Sequence, residues 1–221
     1  MKSRLLTAAA MFFATIQSVY GLTIRVVDSS SNAVDAAVVT VNSPTAASNL
    51  AAPPSGMVEI HQRDRNFFPR VSVVPVNQKL SFPNDDDVLH HVYSFSRAKT
   101  FEFALYGKNE SPTIVMDKAG VVVLGCNIHD HMRGYIYVTD APVYGITDSK
   151  GEAKLPAEKL SGIDGNVLIL SVWHPAMQGE PAMQTLEIPT DGFANELEEI
   201  AIDISQRTQP EFDPYEQGDY E

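Results

Sequence analysis

The amino-acid sequence predicts an all-β protein made of two β-sandwich units, and three observations carry that prediction. Short runs of β-branched and aromatic residues recur at strand length with turn residues between them. No segment needs a helix longer than the turn or two that residues 156–160 allow. The texture of the chain also changes after Asp140, where a series of closely spaced strands gives way to a more open pattern.

Taken in order, residues 1–21 have a basic start (Lys2, Arg4), an apolar run and small residues at their end, the layout of a secretory signal peptide. No other stretch approaches the roughly 18 apolar residues of a membrane span, so the mature chain is expected to have none and to be periplasmic. Residues 22–27 (LTIRVV) and 36–41 (AAVVTV) read as strands within a 22–56 segment. The Pro-, Ala- and Ser-rich stretch 43–55 reads as an exposed connection. Strands follow at 58–62, 71–76, 79–82, 91–95, 113–116, 121–124 and 135–138, all inside a unit spanning 57–140. Pro83-Asn84, Lys108-Asn109 and Lys118-Ala119-Gly120 supply turns between them. A further unit at 141–206 holds the turn Thr147-Asp148-Ser149-Lys150-Gly151, a strong strand at 166–172 (NVLILSV) and an edge strand at 197–204. Residues 207–221 form an acidic tail with no basic residue after Arg207.

The formal net charge is −12, and losing Lys2 and Arg4 with the leader makes the chain more acidic still. Such a surface repels nucleic acid and anionic membranes and favours cationic partners. Cys126 is the sole cysteine, which excludes a disulfide framework within the chain. In an oxidising compartment a lone thiol has to be buried, paired with another chain or engaged by a metal.

Its surroundings favour the metal. The run Gly125-Cys126-Asn127-Ile128-His129-Asp130-His131-Met132-Arg133-Gly134 places a thiol, two imidazoles and a thioether in one short loop between two predicted strands. Thiolate, imidazole and a weak axial thioether are the donors of a mononuclear electron-transfer copper site. The loop supplies three of them, and a second imidazole is available from the distant run NDDDVLHH at 84–91. Strand alternation places His90 and His91 on opposite faces, so one of them can point at the loop. Other readings of the same residues are Cys–His nucleophilic catalysis, which lacks an oxyanion-hole signature, and zinc, for which Met132 is a poor ligand. Asp85-Asp86-Asp87 lacks the spacing of a calcium loop and reads as a solvated acidic turn that could face a cationic partner. His61 reads as a surface residue and His174, in Trp173-His174-Pro175, as a structural one.

The pattern Cys-x-x-His-x-x-Met-Arg-Gly resembles the ligand loop of the cupredoxin family, in the short form of the amicyanins. Phe82-Pro83-Asn84 with a histidine six residues after the asparagine resembles the segment that carries the first histidine ligand in plastocyanin- and amicyanin-like members. The strings HHVYSFSRAKTFEFALYG and GVVVLGCNIHDHM resemble cupredoxin-domain proteins labelled "methylamine utilization protein". The resemblance covers residues 57–140 and implies a Greek-key β-sandwich. It also implies a copper ion held by His90, Cys126, His129 and, more weakly, Met132. Two departures stand out. His91 occupies a position where asparagine is usual, and His131 one where an apolar residue is commoner; both are expected to be exposed or hydrogen-bonded behind the ligands.

The flanks 22–41 and 147–172 resemble the two halves of a carboxypeptidase-regulatory-like, transthyretin-like sandwich, into whose connecting loop the 57–140 unit would be inserted. The alternative is that 22–41 opens the 57–140 sandwich. The resemblance as a whole implies a periplasmic one-electron carrier that docks on a redox partner with a cationic surface and is not itself an enzyme. Copper storage or delivery, and a purely structural module, are the other readings these residues support.

Overall fold

The computed structural model describes residues 21–42, 55–160, 163, 167–177, 182–187 and 196–203. The leader up to residue 20 and the tail at 207–221 lie outside the described residues. Gly21, the last residue of the expected leader, opens the first strand.

Among the described residues the chain is all-β apart from one four-residue helix. It begins with β1 (Gly21–Asp28) and β2 (Val38–Asn42). A group of short strands follows: β3 (Met57–Glu59), β4 (His61–Arg63), β5 (Asn66–Phe68), β6 (Val71–Pro75) and β7 (Gln78–Ser81). Longer ones come next, β8 (His90–Ser96), β9 (Lys99–Tyr106), β10 (Thr113–Met116), β11 (Gly120–Cys126) and β12 (Arg133–Thr139). The last section contains β13 (Val143–Ile146), β14 (Glu152–Pro156), α1 (Ala157–Leu160), β15 (Val167–Trp173), β16 (Ala182–Glu187) and β17 (Glu196–Ile202).

These strands enclose two separate hydrophobic cores. One is built from both ends of the chain. β1 lies between β14 and β17, and β2 between β13 and β15, with β16 beyond β15. Period-2 alternation turns Leu22, Ile24 and Val26 of β1 against Val39 and Val41 of β2 and Leu168, Leu170 and Val172 of β15. Among the described residues the first two strands therefore pair with β13, β14, β15 and β17 and with no strand of the 57–140 unit. The second core lies between a five-stranded sheet (β6-β12-β11-β8-β9) and a three-stranded one (β10-β7-β3). It holds Leu80, Phe82, Val92, Met116, Val122, Leu124, Ile136 and Val138, together with Cys126 and Met132.

β5, β9 and β16 carry no separate strand signal in the sequence. β5 is three residues long and exists as the partner of β4, joined by a two-residue turn in which Asp64 (φ 53°) and Arg65 (φ 56°) are both left-handed. β9 is a sheet edge whose Phe101 and Phe103 pack on the core while Thr100 and Glu102 face out. Its mixture of Lys, Thr, Phe and Glu dilutes the hydrophobic run that marks a buried strand.

The sandwiches meet on their outer faces. Val38 and Thr40 of β2 point away from their own core yet are 0% and 3% exposed, so that face is covered. Beside them on β15, Trp173 stacks on Tyr135 and Tyr137 of β12 with centroids 6.0 and 5.5 Å apart. Burial makes the Tyr137 phenol a weaker acid than usual, an effect partly offset by its hydrogen bond with the Ser171 side chain.

The central place of β1 is testable. Ile24→Ala removes a fully buried side chain from the middle of its sheet. It should lower the unfolding free energy by about 2–5 kcal/mol in denaturant titrations. A loss below about 1 kcal/mol would show that β1 is dispensable to that core.

Candidate metal centre

Three donor side chains converge at one end of the second sandwich. β11 runs inward-outward through Val122, Leu124 and Cys126, which turns the thiol into the core. β8 pairs with it in the register Gly125↔Tyr93 and Cys126↔Val92. Along β8 the inward residues are His90, Val92 and Ser94, so His90 enters the same interior while His91 faces out. His90 Nδ1 lies 3.7 Å from Cys126 Sγ, and His129 Nδ1 lies 3.4 Å from it on the other side. All three donor atoms fall within 4.8 Å of one another. An ion about 2.3 Å from sulfur and about 2.0 Å from nitrogen, at tetrahedral or trigonal angles, needs S···N separations of roughly 3.5–3.7 Å. The residues present therefore fit a metal ion.

His90 is completely buried, and its far nitrogen is occupied: Nε2 lies 2.9 Å from Asp86 Oδ2. The Asp86 carboxylate also accepts the Asp64 amide at 2.7 Å and the Arg65 amide at 3.0 Å, both from the left-handed turn between β4 and β5. The loop presenting Asp86 is wound around Asn84. Its side-chain oxygen accepts the Asp86 amide at 2.9 Å, and its amide donates to the carbonyls of Val88 and Tyr106. Burial alone would raise the Asp86 carboxyl, but the Arg65 amide, His90 and the Asp64 amide outweigh it and hold the group below its ordinary value. An ionised Asp86 only accepts hydrogen bonds, so His90 carries its proton on Nε2 and turns a lone pair on Nδ1 toward the sulfur. Beneath this, the Tyr106 hydroxyl donates to Gln62 Oε1 at 2.8 Å, and burial pushes the phenol well above its ordinary pKa, which keeps the donor proton in place. Gln62 in turn donates to the carbonyls of Phe82 and Pro83, which closes a satisfied polar layer under the site.

His129 is held differently. The loop from Cys126 to Met132 turns through His129 N–H to Cys126 O at 3.3 Å and Met132 N–H to His129 O at 2.9 Å. Asn127 N–H donates to His91 O and ties the loop back to β8. His129 is partly exposed, and its Nε2 has no protein partner among the described residues. Burial, then the nearby His90, Arg65 and His131, push its imidazole below the ordinary value, which favours the neutral form that coordinates a metal. Met132 is 1% exposed and belongs to the same apolar cluster as Cys126.

The remaining polar residues resolve separately. His91 Nε2 meets Glu102 at 2.8 Å on the outer face of the sheet, and His131 is exposed. Neither joins the donor cluster. The acidic turn is solvated as expected at Asp87, while Asp86 is largely enclosed, and each carboxylate has its own partner. Asp85 pairs with Arg63 and His61, Asp86 with His90, and Asp87 with Lys108. His61, expected as an ordinary surface residue, bridges Asp85 at 2.9 Å and Glu59 at 3.2 Å. His174 is structural: its Nδ1 accepts the Ala176 amide, and burial lowers its basicity. The β4–β5 turn was invisible in the sequence as part of the site. Its only trace is Asp64-Arg65-Asn66, three turn-forming or polar residues between strand-like runs.

No family model matches this sequence, and no curated protein matches it. Among solved structures it is similar to a copper-containing nitrite reductase from Thermus scotoductus, at 25% identity and a TM-score of 0.37 over 44% of this chain. The matched region is 25% of that enzyme's length. A reduced amicyanin mutant matches at 18% identity and a TM-score of 0.36, covering 46% of this chain and 98% of its own. A purple cupredoxin from Nitrosopumilus maritimus matches at 20% identity and a TM-score of 0.34, covering 38% of this chain and all of its own.

Gly134, just after the ligand loop, touches the turn's supporting strand. A Cβ there would lie 2.9 Å from Phe67 Cβ, and Phe67 is fully enclosed. Gly134→Ala should therefore destabilise the protein by about 1–3 kcal/mol in thermal or denaturant unfolding. Unchanged stability would mean that β5 is not packed against β12.

Proposed function

We propose that this chain is a cupredoxin-type copper protein that carries single electrons, exported to the periplasm, with His90, Cys126, His129 and Met132 as ligands. The observation that carries the reading is one buried thiol lying 3.7 and 3.4 Å from two imidazole nitrogens contributed by separate segments. A soft thiolate with two imidazoles and a long thioether suits copper over zinc, and bound copper supplies a one-electron Cu(I)/Cu(II) couple. The protein's part is to keep those donors where both oxidation states accept them. His90 and Cys126 stand on paired strands of a packed sheet, and Met132 is buried in the same core. Four protein donors leave no open position for a substrate, which favours a carrier over an enzyme. The acidic chain suits a redox partner with a cationic docking surface.

One observation supports a second reading, copper delivery: His129 is partly exposed and its outer nitrogen is free of protein partners among the described residues, so this ligand is the one from which an ion could be taken. Exchange kinetics separate the two. A carrier retains copper for hours against a competing chelator, whereas a delivery protein surrenders it quickly.

The primary test is the visible and electron paramagnetic resonance spectrum of the protein after Cu(II) loading. An intense thiolate-to-copper band is expected, and Cys126→Ala should abolish it. His91→Ala and His131→Ala should keep it, because neither side chain lies in the donor cluster. A colourless native protein, or a band that survives Cys126→Ala, would remove this function.

A further inference from the structure

Three N–H groups from two places in the chain, the β4–β5 turn and β8, converge on the carboxylate of Asp86. The Asp64 amide reaches Oδ1 at 2.7 Å, while the Arg65 amide at 3.0 Å and His90 Nε2 at 2.9 Å share Oδ2. This carboxylate has only 14% of its side chain exposed and sits against an imidazole that is wholly enclosed. Only a group with two acceptor oxygens and no donor of its own satisfies all three. Its neighbours Asp85 and Asp87 are taken up by Arg63, His61 and Lys108 and cannot substitute for it.

We propose that Asp86 is the positioning residue of the metal centre: it locks the tautomer and orientation of His90 and, as an anion behind the ring, strengthens Nδ1 as a donor to the oxidised metal. The β4–β5 turn is the anchor of that lock. Its left-handed residues Asp64 and Arg65 aim two adjacent amides at the carboxylate, and β5 is in turn packed under Gly134 beside the ligand loop. The carboxylate thus ties the ligand strand β8 to the β4–β5 turn and the acidic loop, two segments that a backbone bridge between Gln62 and Asn84 already links to each other. This inference rests on the copper reading above for its metal-bound half and on the protein alone for its tautomer half.

The chemistry fixes the direction of the effect. A hydrogen-bonded carboxylate raises the basicity of a ligating imidazole. That favours Cu(II), the more highly charged state, over Cu(I). Asp86→Asn keeps the shape but replaces one acceptor oxygen by an NH2 group. The amide cannot accept from all three donors, and its own N–H can donate to Nε2 and drive the His90 proton to Nδ1, facing the sulfur.

The experiment compares the native protein, Asp86→Asn and Asp86→Glu, each first shown to be folded by circular dichroism. In the metal-free protein, nitrogen-15 NMR of the histidines should report His90 as the Nε2–H tautomer in the native chain and in Asp86→Glu, and a mixture in Asp86→Asn. In the copper-loaded protein, Asp86→Asn should bind Cu(II) about ten- to a hundredfold more weakly. Its reduction potential should rise by about 59 mV for each tenfold by which Cu(II) is weakened more than Cu(I). Asp86→Glu should recover part of both. A folded Asp86→Asn with native tautomer and native potential overturns the proposal. A native protein that forms no thiolate–copper band removes the copper reading instead, and the metal-free tautomer measurement then decides the role of Asp86 by itself.

Discussion

The register of β8 against β11 is the constraint on which the site depends, because it brings together side chains 36 residues apart. Side chains alternate across a sheet, so a slip of one residue would carry Cys126 to the outer face while His90 stayed inside. Two features resist the slip. Val122 and Leu124 are buried on the inner face of β11 and would have to be exposed together with Cys126. On the outer face Gly125 lies under the Tyr93 ring, where any Cβ would come within 2.7 Å of Cζ, so the ring fits only over this glycine. The core residues and the glycine therefore specify the same pairing as the donors do.

Much of this was legible in the sequence, for reasons that the structure makes plain. Cys126, His129 and Met132 lie in one loop, and loop spacing survives in the linear chain. The choice of His90 over His91 rests on residue counting from Asn84 and on alternation along a single strand, which are local properties as well. What could not be read depends on contacts between distant segments. Asp86 looks in sequence like its neighbours Asp85 and Asp87, and only the approach of the 64–65 turn gives it a separate role. β5 consists of three residues whose strand character comes from pairing with β4, and β9 is an edge whose alternation is diluted by Lys99 and Glu102. The pairing of β1 and β2 with β13, β14, β15 and β17 spans more than 100 residues of chain; strand propensity carries no partner identity, and the expectation that 22–41 and 147–172 form one sandwich comes from a resemblance alone.

The two imidazoles are unequal in ways that bear on what the centre can do. His90 is enclosed, has both nitrogens assigned, and belongs to a regular strand. His129 sits in a four-residue turn, is partly exposed and keeps one nitrogen free of protein partners among the described residues. One side of the site is preorganised by packing and hydrogen bonds, and the other faces outward. Exposed Leu89 and Ile128, at 50% and 46%, flank the two histidines in sequence and make the neighbouring surface apolar in an otherwise acidic protein.

The second sandwich matters to the centre through β12. This strand leaves the ligand loop directly after Met132, and its alternating residues serve two masters. Gly134, Ile136 and Val138 fill the core that contains Cys126, while Tyr135 and Tyr137 lie under Trp173 of β15. A movement of β12 would therefore have to break packing on both faces at once. β12 is also hydrogen-bonded on both edges, to β11 and to β6. The strand that anchors one end of the ligand loop is thus fixed in all four lateral directions. On the copper reading proposed above, reduction and oxidation of a bound ion would change its preferred donor geometry, and a scaffold braced in this way would limit how far the donors can follow. The partner sandwich, remote from every donor atom, acts on the centre by that mechanical route.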